Sequence, residues 1–229
     1  MIHFKEPKGN MDVIVFGKNK EQELEDIQNG ISRFGGGFRQ PSYSFAYFKS
    51  AKVLLENAVS NNELDELGLP IFYMVRHSFE LNLKGLLGMA YEILKMRHEL
   101  YGTERTEVDL PSGKQLKRFE TSHELDKLYR DLVTTCKLMD VSIPTEVFDT
   151  VLESILRFEV APTWSRYHSS NKGLHVADEV ALPIVQIVND LETLFSVVTY
   201  DTSGSVETIE SVLYSEFNSL IGRLENSEC

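Results

Sequence analysis

The stretch "FYMVRHSFELNLKGLL", Phe72 to Leu87, carries the reading of the fold. Val75, Phe79, Leu83 and Leu86, followed by Ala90 and Ile93, recur every three or four residues, which predicts a long amphipathic helix. Pro70 stands where a first-turn proline belongs, and the pattern runs to about Arg97. Within it sit Arg76, His77, Glu80 and Lys84. On a helix Arg76, Glu80 and Lys84 follow one another at i, i+4 and i+8, and His77 precedes Glu80 by three. All four are therefore expected to converge along one edge.

Two readings of that edge stay open. Opposite charges four residues apart add only about 0.2–0.5 kcal/mol per pair, so a ladder on a solvated face needs no function. The edge is narrow, however, with few other polar residues between Pro70 and Ala90. Charges held partly out of water need partners, and they gather in clefts where a ligand binds or a proton moves.

Helical spacing extends to both sides. Tyr43, Tyr47, Ala51, Leu54 and Ala58 predict a preceding helix that ends near "SNN". Between Tyr101 and Phe119 the chain turns polar, and "TEVDL" and "KQLKRF" around "PSG" predict a short β-hairpin insert. Thr121 and Glu124 have the T-x-x-E spacing of a capping box ahead of Leu125, Leu128, Leu132 and Cys136. Pro144 opens a short helix through Phe148, Val151, Leu152, Ile155 and Phe158. Two more helices are expected, from Pro183 to Val198 and from about Val206 to Leu224, after the break "DTSGS". The sum is an all-α bundle of five to six helices over residues 42–229.

Residues 1–41 read as an appendage. "MDVIVF" (Met11–Phe16) is a strand candidate, "KEQELEDIQNG" a polar helix, and Gly35, Gly36 and Gly37 a joint. No Gly-Lys-Ser/Thr follows those glycines, so they read as a hinge and not as a phosphate loop.

Composition removes several function classes. The 229 residues are 42% hydrophobic and 25% charged, as in ordinary globular domains. Lys+Arg total 23 against 35 Asp+Glu, a net charge of -12, which argues against general coating of duplex nucleic acid. Cys136 and Cys229 lie far apart without metal-ligand spacing, so no metal and no cofactor are expected. The N-terminus lacks the apolar core of a secretion signal and no apolar run reaches spanning length. No membrane contact and a cytoplasmic location are expected.

The segments "YFKSAKVLLENA", "RHSFELNLKGLL" and "TSHELDKLY" together resemble the HEPN superfamily, whose second helix often reads E-x-x-x-K-A-L and whose third opens with H-x-L. Glu80 and Lys84 match the first pattern, with Gly85 in place of Ala, and His123 and Leu125 match the second. The loop "SRYHSSNKG" is similar to an R-Y-P…G segment of some bacterial HEPN-like proteins, with His168 in place of Pro. The likeness spans residues 42 to 199.

The resemblance implies a homodimeric helical bundle and a metal-independent endoribonuclease of a toxin–antitoxin or phage-defence system. RNA or a nucleotide would then be a partner, and an antitoxin another. It makes Arg76, His77 and His123 the catalytic candidates, and Glu80, Lys84, Arg166 and His168 the ligand-binding ones. A non-catalytic module that binds a nucleotide or partner protein is the alternative. The family's R-x4-6-H spacing occurs here as Arg118 to His123, with the arginine expected in a strand and the histidine in the first turn of a helix. In the nuclease members that motif sits on a later helix.

Overall fold

The computed structural model describes residues 20–32, 43–101, 110–159, 169–170, 173–174, 179–199 and 207–227. Its helices are α1 (Lys20–Gln28), α2 (Tyr43–Asn61), α3 (Leu64–Tyr101), α4 (Gly113–Thr121), α5 (Leu125–Leu138), α6 (Thr145–Leu156), α7 (Ile184–Val198) and α8 (Ile209–Ser227). Ser169–Ser170 and Gly173–Leu174 pair antiparallel as two-residue strands. The strand candidate Met11–Phe16 and the glycine joint lie outside the described residues.

The bundle is organised by α3, which packs most extensively against α2 and also against α5, α7 and α8. The expected stripe is the centre of the core: Val75, Phe79, Leu83, Ala90 and Ile93 are fully buried and Leu86 nearly so. Ile71, Phe72 and Leu87 are fully buried beside them, so α3 offers apolar surface to several neighbours at once. On α2 the buried face is carried by Phe48, Ala51, Leu55 and Ala58, rotated from the expected one, and Tyr43 stays exposed.

Local chemistry explains where the helices end. Asn62 and Asp140 adopt φ values of 60° and 59°, and the next amides reach back five residues, from Glu63 to the Ala58 carbonyl (2.8 Å) and from Val141 to the Cys136 carbonyl (2.9 Å). Gly30 ends α1 in the same way, with Ile31 donating to the Asp26 carbonyl at 2.8 Å. Each is a left-handed cap that satisfies an otherwise orphaned carbonyl. Asn, Asp and Gly are the residues that enter this conformation at least cost.

Four expectations need correction. The bundle has seven helices from Tyr43 onward among the described residues, and not five or six. The added one is α4: "KQLKRF" is helical and not the second strand of a hairpin. Its signal was the S-x-x-Q of Ser112 and Gln115, a reciprocal capping box in which the Gln115 amide donates to Ser112 Oγ and Ser112 N–H to Gln115 Oε1. The Thr121–Glu124 box does not form, because Thr121 is the last residue of α4 and Glu124 caps α5 without a side-chain bond. Finally, α3 begins at Leu64, ahead of Pro70. The proline forgoes one helical hydrogen bond, while Leu67 in the turn before it packs on the core.

Candidate functional site

Arg76, Glu80 and Lys84 share one edge of α3 as their spacing requires, and that edge faces the α4–α5 loop and the chain just beyond α6. Each nitrogen of the Arg76 guanidinium donates to a protein partner. Nε donates to Glu159 Oε1 (2.6 Å), Nη1 to Glu80 Oε2 (2.8 Å) and Nη2 to the His123 carbonyl (2.6 Å). The second oxygen of Glu80 meets His123 Nδ1 at 2.8 Å and Lys84 Nζ at 3.2 Å. Arg76 and Glu80 are only 3% and 2% exposed. Charges so deeply placed persist because each is paired and hydrogen-bonded.

Burial alone would push the Glu80 carboxyl up, but the hydrogen bonds from His123 and Arg76 and the charge of Lys84 outweigh it and hold the group below the usual carboxylate range. Glu80 is thus an anion at the centre of the seam. Solvent reaches the seam at its rim, where the Lys84 side chain is one-fifth exposed and the His123 side chain one-half. With Nδ1 bonded to the carboxylate, the His123 ring is oriented and its second nitrogen is the one left for other partners.

Not every candidate belongs to this seam. His77 turns away from it: a one-residue step rotates a side chain about 100° round a helix. Its ring stacks on Tyr73 (centroids 5.7 Å apart, 7° between planes) and takes Tyr47 edge-on at 4.6 Å. The expectation that all four polar side chains of α3 converge therefore fails for His77. Arg166 and His168 lie outside the described residues. Arg118, the arginine of the R-x4-H spacing, stands in the last turn of α4 and pairs with Asp131 at 3.1 Å. His123 is in the loop before α5 and not in its first turn.

Glu159 was missed by sequence reasoning. It follows α6 and meets Arg76 across 83 residues, a separation at which no periodicity carries information. The fourth charge of the seam, beside Arg76, Glu80 and Lys84, becomes visible only once α6 is packed. No protein-family model, curated protein or solved structure matches the chain.

Proposed function

We propose that residues 42–229 form a HEPN-like helical module that binds RNA or a nucleotide without cleaving it, with residues 1–41 as an appendage. One observation carries the choice of binding over catalysis. Arg76, the arginine among the catalytic candidates, is buried with Nε, Nη1 and Nη2 all donating to the protein's own oxygens. A group so engaged cannot stabilise developing charge on a substrate without abandoning a buried carboxylate. The seam then serves to fix the loop before α5. The resemblance attaches to this reading a homodimer and a toxin–antitoxin or phage-defence setting, in which an antitoxin or other protein is the second partner.

A second reading, the metal-independent endoribonuclease, is favoured by His123. It is half exposed and its Nδ1 is fixed by Glu80 at 2.8 Å, an arrangement suited to taking a proton from an RNA 2′-hydroxyl. Incubating the purified protein with RNA and EDTA separates the two. The binding module leaves the RNA intact; cleavage by the wild type that is lost in His123→Ala replaces it with the nuclease.

A further inference from the structure

The α4–α5 loop has a second face. Ser122 and Glu124 are extended (ψ 145° and 101°), so successive side chains point to opposite sides, His123 inward to α3 and its two neighbours outward. The outward pair lines a groove of ≈ 580 Å³ between α4 and α5, together with Lys114, Lys117, Arg118, Thr121, Lys127 and Arg130. Five of the eight lining residues are basic, on a chain with net charge -12. The spacing explains how they gather: Lys114, Lys117 and Arg118 stand at i, i+3 and i+4 on α4, and Lys127 and Arg130 at i and i+3 on α5. Two rows of cations therefore line the groove, one from each helix.

Intramolecular pairing leaves this charge only partly neutralised. Lys127 pairs with Glu124, Arg130 with Asp126 and Arg118 with Asp131. Lys114 and Lys117 are exposed and have no ion-pair partner among the described residues. Ser122 Oγ accepts the Glu124 amide at 3.0 Å, which leaves its own proton to donate outward. Like charges confined between two helices repel one another, and a groove with this surplus focuses a positive field that favours a multiply charged anion.

We infer that this groove is a binding site for clustered phosphates, those of a nucleoside triphosphate or of a single-stranded RNA backbone, with Lys114 and Lys117 as the cations that have no ion-pair partner of their own among the described residues, Lys114 feeling the Asp131 carboxylate only at longer range. The site rests on the binding-module reading and gives it a location. Along α4 the row from Lys114 to Thr121 spans about 10 Å at 1.5 Å per residue, the reach of a short run of phosphates. The volume falls in the range of about 300–1,000 Å³ usual for small-molecule sites.

The test is the anisotropy of a fluorescent single-stranded RNA oligonucleotide titrated with full-length protein, wild type against Lys114→Glu/Lys117→Glu. Lys95→Glu/Lys137→Glu, which changes net charge equally at exposed positions off the groove, is the control. The site predicts that the groove variant binds at least tenfold more weakly with an unchanged melting temperature, and that the control binds within threefold of wild type. It also predicts a shallower dependence of log K on log salt in the groove variant, by about 0.7 for each phosphate that is no longer neutralised. Competition assigns the source: displacement by micromolar ATP supports a free nucleotide, and retention against millimolar ATP supports a strand backbone. Equal weakening in both variants, or none in the groove variant, overturns the site while the binding-module reading stands. A wild type that binds neither oligonucleotide nor ATP overturns both.

Discussion

Glu80 and His123 meet at 2.8 Å, a buried carboxylate against a half-exposed imidazole 43 residues further along the chain. The same carboxylate holds Arg76, whose guanidinium also grips the His123 backbone. Loop, ring and long helix are thereby fixed by one anion.

Arg76→Ala should be the most damaging single substitution in the seam. It strands the carboxylates of Glu80 and Glu159 and the carbonyl of His123 with no guanidinium to share. Removing one partner of a buried pair costs about 3–5 kcal/mol, and urea denaturation reads that loss directly. His123→Ala should cost less, about 1–2 kcal/mol, because its carbonyl bond to Arg76 survives and the ring already touches water. A midpoint unchanged in Arg76→Ala would mean that the seam is not structural.

The acid side of the stability profile should carry the signature of Glu80. Its folded pKa is depressed below the unfolded value near 4.5, so its contribution is fully present above that pH and is lost as pH falls through the folded pKa. Unfolding free energies of wild type and Glu80→Gln should therefore differ most at neutral pH and converge as pH falls below 4.5. A gap that stays constant down to pH 2 would contradict the assignment.

Phe119 is the expected hinge pin of α4. It packs edge-on to Tyr91 at 5.7 Å and lies against Gly88, where a Cβ would come within 3.2 Å of its ring. A nine-residue helix is marginal by itself in water. Phe119→Ala should accelerate amide exchange across Gly113–Thr121, with α3 and α5 as slow as before. Uniform acceleration across the bundle would instead assign Phe119 to the core.

Cys136 is buried, and burial pushes its thiol up to about 11. In a Cys229→Ser background, alkylation at pH 8 should proceed only at the rate of unfolding and should rise sharply in urea. Rapid native-state labelling would show that α5 opens locally.

The legible part of the fold was the part written in helical periodicity. The stripe from Val75 to Ile93 announced α3 because each of those positions is buried, and "SNN" placed the end of α2, where Asn62 supplies the left-handed cap. The α4 segment misled because polar residues flanking "PSG" suit a turn, and the weight of Ser112 and Gln115 as a cap emerges only when Phe119 has a glycine to rest on. In the site, i, i+4 spacing placed Arg76, Glu80 and Lys84 together, and helical geometry then separated His77 from them. Glu159 and the His123 carbonyl were invisible, since both depend on tertiary contacts across 83 and 47 residues. A backbone acceptor, moreover, leaves no mark on residue type.

Those same separations set an order in time. The Arg76–Glu80 pair can form within one helix, but the bonds to His123 and Glu159 close only after α5 and the end of α6 have docked, against the loop-closure entropy of the intervening chain. The seam is thus expected to latch late, on the native side of the folding barrier. Loosening it at Arg76 should then shorten the lifetime of the folded chain by speeding unfolding, with little change in how fast the chain refolds.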